Sequence, residues 1–386
     1  MSKLRIAAVS KFPFIESDGF SGLPSVSKNV CDALAQRDDI DLHVISGTLH
    51  TNTITQKQFE GYTATFFPYR SEVLYYASLY GFATREVVRL LRDFKPDLVH
   101  CQAIAETALG SLWSGFPTVA TIHGIAQAER KQAKGFKTKL AFGVQALAEA
   151  YYVRRLPHVI ACSPYVSRFV RQKNPRAQLY DISNPMDADF FKVDATAPHA
   201  LPNSILVVGT IVFRKGQDVI LEAMPSVLQA CPEATLTLVG KEVDPTFAAQ
   251  LKARAAALGV AERVRWLGAV SQPQLIEAMR QHRIVCLPSR EETLPMSISQ
   301  AAIIGNVPVV SDAGGIPDML NSGIQGFMFP SGDAAACASK LIEVMRLPEE
   351  AIAQVRAHNR KFAEKLYRPA SVAEQTVAVY RSVLAA

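Results

Sequence analysis

Short apolar runs rich in Val and Ile alternate with helix-length segments from one end of the chain to the other. No other feature constrains the fold as tightly. Strands that read as continuous apolar runs have to be covered on both faces, which is the condition of a parallel sheet sandwiched between helices. In the first half strands are expected near Arg5–Val9, Leu42–Ser46, Ala64–Pro68, Leu98–His100, Thr118–Ile122, Val159–Ala161 and Leu179–Ile182. Residues 184–203 lack periodicity and carry Pro185, Pro198 and Pro202, which reads as a linker. The pattern restarts near Ile205–Val208, Leu236–Val239, Val264–Leu267, Ile284–Leu287, Val309–Ser311 and Phe327–Phe329. At 386 residues and 49% hydrophobic content, the chain is long enough for two cores. The expected fold class is α/β, with two tandem Rossmann-like doubly wound domains: 1–185, a linker over 186–203, and 204–370.

The six cysteines are scattered without C-x-x-C spacing, several inside apolar runs such as Arg283-Ile-Val-Cys-Leu287. They read as buried free thiols of a reducing cytosol. Lys3–Val9 is strand-like rather than a signal peptide, and no apolar run approaches the ~20 residues of a membrane span. A cytoplasmic protein, soluble or peripheral on the inner face of the membrane, is therefore expected. Residues 130–176 hold eleven Lys and Arg against the single acid Glu149, interleaved with Phe136, Leu140, Phe142, Val144, Leu147, Tyr151 and Tyr152. Two readings stand: a solvated helical face with core contacts, or an interfacial patch on anionic lipid, each near-surface charge contributing about 1 kcal/mol. No RNA- or DNA-binding motif accompanies the charge, so nucleic acid is not an expected partner.

Ligands of doubly wound sheets gather outside the carboxyl ends of the strands. In the second half those ends carry Gly209, Gly240, Gly268, Ser289 and Gly314-Gly315; in the first half they carry Gly19, Gly22, His100 and His123-Gly124. The stretch Pro288–Asp318 places an acidic loop, a helix start, a buried strand and a Gly-Gly turn in succession. Pro295 fits the first helical turn, where Met296, Ser297 and Ile298 would offer backbone N–H groups to an anion. Glu292 precedes that helix, and Gln300 lies eight residues on, about 12 Å along a helix axis. Between Gly209 and Gly216, Arg214 supplies a planar fork and Lys215 a compact charge, two complementary ways to neutralise a diphosphate.

Glu292 through Gln300 resembles the E-x7-E signature of the retaining GT-B glycosyltransferases of family 4, with Gln in place of the second Glu. Gly305–Pro308 is one residue longer than the family's usual Gly-x-Pro. Lys215-Gly216 resembles the family's phosphate-binding turn, although Thr210 stands where an arginine commonly follows the first glycine. Ser21-Gly22 resembles the family's Gly-Gly turn with Ser in place of one glycine, and Asn184–Phe190 resembles its segment between domains. The resemblance implies a GT-B fold with two domains facing across a cleft, the last helix (371–386) returning to the first. It also implies a hexosyltransferase moving a sugar from a UDP- or GDP-type donor, with retention, to a hydroxyl of a glycan or lipid-linked glycan, as in polysaccharide assembly.

In that reading Arg214 and Lys215 meet the leaving diphosphate, Glu292 the sugar hydroxyls and Gln300 the ribose. His123 meets the donor sugar from the first domain. Gly22, Gly209, Leu294, Pro295, Met296 and Ser297 shape the donor site. For His100, which ends the preceding strand, two readings stand: lining the acceptor side, or ordinary packing. No cofactor beyond the nucleotide sugar and no metal is expected. Asp39-Ile-Asp41 and Asp187-Ala-Asp189 both spell D-x-D, but one falls in a helix-to-strand turn and the other in the interdomain segment, and no His/Cys cluster has ligand spacing. Two rivals stay open: an epimerase or phosphorylase of the same architecture, and a non-catalytic nucleotide- or glycan-binding homologue, which Gln300, Thr210 and Ser21 would suit.

Overall fold

A computed structural model describes residues 3–15, 22–69, 75–76, 78–194 and 201–386. The chain forms two compact units, Met1–Pro185 with Arg368–Ala386, and Met186–Tyr367.

The first unit is built on an eight-stranded sheet of β1 (Leu4–Val9), β2 (Ile40–Thr48), β3 (Thr55–Phe59), β4 (Tyr62–Pro68), β5 (Leu98–Gln102), β6 (Thr118–Ile122), β7 (His158–Ala161) and β8 (Gln178–Asp181). Their order is β3-β4-β2-β1-β5-β6-β7-β8. All neighbours are parallel except β3, which runs antiparallel to β4 with Phe59 opposite Tyr62. β5 and β6 are buried at every residue, as two-faced coverage requires. β3 was not expected. Its sequence, Thr-Gln-Lys-Gln-Phe, alternates half-buried and exposed positions at the sheet edge, where polar side chains suit a strand with one unpaired side. The helix Pro369–Leu384 packs on the helix Gly22–Ala35, burying Val372, Val377, Val379 and Tyr380. Arg381 adds an ion pair to Asp39 at 2.6 Å.

The second unit holds a wholly parallel six-stranded sheet of β9 (Leu201–Val208), β10 (Thr235–Val239), β11 (Val264–Gly268), β12 (His282–Leu287), β13 (Val307–Ser311) and β14 (Phe327–Phe329), in the order β11-β10-β9-β12-β13-β14. The expected linker needs correction. Met186 and Phe190 are buried in this unit's core, Ala188–Phe191 forms a helical turn, and Arg360 donates to the carbonyls of Phe191 (2.6 Å) and Ile303 (2.7 Å). Residues 195–200 of that span lie outside the described residues. The cysteines are unpaired, all buried except half-buried Cys231. Among the described residues no helix is long and apolar enough to cross a membrane.

Candidate active site

The C-terminal ends of β9, β12 and β13 meet through two backbone approaches that only glycine permits. Phe213–Lys215 is a single 3₁₀ turn closed by Gly216 at φ 69°, and a Cβ on Gly216 would lie 1.8 Å from the carbonyl oxygen of Pro288. A Cβ on Gly314, at φ 57°, would lie 2.1 Å from the carbonyl oxygen of Glu292. With neither side chain present, the Lys215 turn and the Gly314 turn close on the loop 288–294 from two sides. Gly315 N–H donates to Glu292 O at 2.7 Å, and Arg290 N–H to Arg214 O, also at 2.7 Å.

These approaches assemble a buried charge cluster from residues 77 positions apart. Lys215 Nζ donates to Glu292 Oε1 at 2.6 Å, and Ser289 Oγ donates to the same oxygen at 2.8 Å. Arg214 Nη1 lies 3.6 Å from Glu292 Oε2 and donates to the Glu291 carbonyl at 2.8 Å. The Glu292 side chain is 7% exposed and that of Lys215 16%. Burial alone would push the Glu292 carboxyl up; the charges of Lys215, then Arg214, outweigh it and hold the group below the usual carboxylate range. The Lys215 stem runs over Gly209, 3.4 Å from where a Cβ would stand, which fixes the ammonium at the end of β9.

Around this cluster the remaining expected residues fall into place unequally. The helix Met296–Ile304 starts one residue later than expected, with Pro295 as its N-cap. Ile298 N–H already donates to the Pro295 carbonyl at 3.2 Å, so Met296 and Ser297, not Ile298, carry the N–H groups suited to an anion. Leu294 is half-buried against the core beneath, and Gln300 is half-buried on the same helix. The extra residue in Gly305–Pro308 is Asn306, whose buried amide donates to the carbonyls of Met279 (2.7 Å) and His282 (2.5 Å).

One residue of the site, Arg290, was not foreseen, and Ser289 was expected only as one of the strand ends where ligands gather. Ser289 bonds Glu292, and its carbonyl accepts from Ser311 (2.6 Å) and Ser331 (3.1 Å). Arg290 forks onto Asp218 at 2.8 and 2.7 Å and lies 4.0 Å over the ring of Phe213, tying the loop to the Lys215 turn. Only the adjacent glutamates hinted at Arg290.

In the first unit, Gly22 is exposed at the start of Gly22–Ala35, with φ 69°; Gly19 and Ser21 lie outside the described residues. His123 follows β6, its Nε2 bonded to Gln102 Oε1, and burial holds its pKa down to about 4. His100 does not line an open face. It is 1% exposed, bonded at Nδ1 to the Tyr380 hydroxyl (2.6 Å) and at Nε2 to Thr121 Oγ1 (2.7 Å), so both ring nitrogens are committed inside the unit. The D-x-D carboxylates are engaged locally as well. Asp187 accepts from Asp189 N–H at 2.9 Å, Asp189 pairs with Lys192 at 2.6 Å, and Asp39 with Arg37 at 2.9 Å.

The sequence model of Glycosyltransferase Family 4 matches residues 20–190, and that of Glycosyl transferases group 1 matches residues 194–362. Glycogen synthase of Mycobacterium tuberculosis is 26% identical over 294 residues, spanning 75% of this chain and 69% of that protein. Sucrose-phosphate synthase from Thermosynechococcus elongatus shares the fold at a TM-score of 0.80 and 18% identity, over 99% of this chain and 100% of that one. Anabaena HepE in complex with UDP-glucose does so at 0.73 and 17% identity, over 98% and 100%. With the two models together matching both halves in order, and with a parallel-dominated α/β sheet in each, the chain belongs to the group 1 glycosyltransferases of family 4, which have the GT-B fold.

Proposed function

We propose that this chain is a retaining, metal-independent hexosyltransferase that moves a sugar from a nucleoside-diphosphate donor to a hydroxyl of a glycan or lipid-linked glycan. The observation that carries the reading is the buried Lys215–Glu292–Arg214 cluster at the ends of β9 and β12. Lys215 and Arg214 neutralise the leaving diphosphate, together with the Met296 and Ser297 N–H groups, where charge develops as the glycosidic bond breaks. Glu292 holds the two cations in place and turns its remaining acceptor capacity to sugar hydroxyls; Gln300 serves the ribose with uncharged hydrogen bonds. His123 serves the donor sugar. The donor bound by HepE, UDP-glucose, makes UDP-sugars the first donors to try. Glycogen synthase, named for a glycan product, makes oligosaccharides the first acceptors.

The test is nucleotide release from a panel of UDP-, GDP- and ADP-sugars, with and without oligosaccharide, in excess EDTA. Turnover should persist with the chelator. Strict dependence on Mn²⁺ together with loss in Asp187→Ala would overturn the metal-independent part, and no release from any donor would favour a binding homologue. Epimerisation without transfer would favour the rival enzyme.

For a lipid-linked acceptor the specific support is on the helix Phe136–Val153. Leu140 is 58% exposed, Leu147 71% and Tyr151 39%, one stripe at helical spacing with Arg130, Lys131 and Lys139 close by. Such a face fits an anionic membrane surface. Vesicle co-sedimentation should rise with anionic lipid and fall with salt. Indifference to anionic vesicles at low salt would leave a soluble glycan as the acceptor.

A further inference from the structure

A row of buried polar side chains runs through the first unit and ends at His123. Tyr380 on the last helix meets His100 Nδ1 at 2.6 Å, and His100 Nε2 lies 2.7 Å from Thr121 Oγ1 and 3.3 Å from Gln102 Nε2. Gln102 Oε1 then meets His123 Nε2. Tyr380, His100 and Gln102 are each at most 1% exposed, so every proton in the row is placed by a neighbour rather than by water.

A primary amide has a donating end and an accepting end, and here they face different rings. The Gln102 NH₂ faces His100, so His100 Nε2 is an acceptor and its proton sits on Nδ1, donated to the Tyr380 oxygen. The Gln102 oxygen faces His123, so His123 Nε2 carries the proton. That leaves His123 Nδ1 as a bare lone pair, and it is a buried ring nitrogen without a partner among the described residues. Burial pushes the pKa of His100 down to about 3 and that of His123 to about 4, so both rings are neutral near pH 7 and the tautomer is the variable that remains.

We propose that Gln102 is a positioning residue that fixes His123 in the Nε2–H tautomer, itself held by His100 and Tyr380, so that His123 Nδ1 accepts a hydrogen bond from a substrate hydroxyl. This rests on the reading of His123 as a residue that meets the sugar. The row ties that residue to a helix 280 positions away from His100. An apolar side chain at 102 would free the ring to take either tautomer. A carboxylate there would still accept from Nε2–H, and its charge would favour the imidazolium.

Long-range ¹H–¹⁵N spectra of the full chain labelled with ¹⁵N-histidine read each tautomer, with His123→Ala assigning the His123 signals. Wild type should show His123 protonated at Nε2 and unprotonated at Nδ1. Gln102→Met should give mixed tautomers and at least a ten-fold fall in kcat, with KM for the nucleotide sugar changed less. Gln102→Glu should keep the tautomer, recover part of that kcat, and raise the pH at which His123 protonates. Tyr380→Phe should act in the direction of Gln102→Met, more weakly. A wild-type ring protonated at Nδ1, or an unchanged His123 spectrum in Gln102→Met, overturns the proposal. Wild-type turnover in His123→Ala, with the tautomers as stated, would instead overturn the reading of His123 on which it rests.

Discussion

The two units bury polar groups at their strand ends by different physics. The first uses neutral groups in a row, Tyr380, His100, Gln102 and His123, joined by hydrogen bonds. The second uses full charges, with Lys215 and Arg214 on Glu292, and Arg290 on Asp218. A neutral row determines which atom donates and which accepts. An ion cluster determines where charge sits. Breaking them therefore costs differently: an unsatisfied neutral group costs about 1–3 kcal/mol, whereas a buried charge deprived of its partner costs about 3–5 kcal/mol.

The largest expected effect follows from that contrast. Lys215→Met should lower turnover by about 10²–10³-fold, the scale for losing one preorganised charge stabiliser, and should also cost about 3–5 kcal/mol of stability by stranding Glu292. The double variant Lys215→Met/Glu292→Gln should regain most of that stability in denaturant titrations without regaining activity. Should both recover together, the cluster is structural only, and the contrast between units loses its functional meaning.

Gly216→Ala comes next. Its Cβ would drive into the Pro288 carbonyl at a backbone angle that disfavours a side chain. Turnover should fall by about ten-fold or more as Lys215 moves off Glu292, while the neutral row of the first unit keeps its histidine spectrum. A changed His123 signal would show that the two sites are coupled.

A smaller effect is set by pH. The folded His123 stays neutral to about pH 4, whereas the unfolded chain binds that proton near 6.5. Its neutral-state contribution to stability is therefore lost as pH falls from about 6.5 toward 4. Between those limits stability should fall less steeply with acid in His123→Gln than in wild type, measured by denaturant midpoints. Equal slopes would mean the ring is not held neutral.

The smallest change is at Gln300. Gln300→Leu should raise KM for the donor about five-fold, the worth of one uncharged hydrogen bond, with kcat nearly unchanged. Wild-type KM would place Gln300 outside the site.

Much of the architecture was legible because its signal is local. Val207, Val239, Val285 and Val309 sit in apolar runs that only a two-faced sheet accommodates, and those runs became β9, β10, β12 and β13. Thr55–Phe59 was not legible, since an edge strand buries too little to need an apolar run. Nor was the burial of Met186 and Phe190, two isolated hydrophobics in a proline-broken stretch whose partners come from the distant helices Met296–Ile304 and Glu349–Tyr367. The site divides in the same way. Glu292 and Lys215 stood out by type and place. Arg290 and Gln102 did not, because their meaning lies in partners that the sequence keeps apart, as with Arg290 and Asp218 at 72 positions; Ser289 showed only as a strand end. His100 stayed between two readings for a related reason, and packing is the one the structure supports: the residue that claims its Nδ1 is Tyr380, 280 positions away.

The return of Arg368–Ala386 to the first unit makes that unit discontinuous, with the whole of Met186–Tyr367 inserted into it. On the ribosome the contiguous unit is delivered entire before residue 380 emerges, so it can close its core while the earlier-made one still lacks a helix. The entropy of bridging that long insertion grows only logarithmically and is modest; the delay itself is unavoidable. Vectorial synthesis thus inverts the usual order, in which the N-terminal domain matures first. His100 waits for its tyrosine until the whole of Met186–Tyr367 has been made, and nascent chains cut after residue 367 and extended by an unstructured linker that spans the ribosomal exit tunnel should be cleaved by protease in the first unit while the second resists.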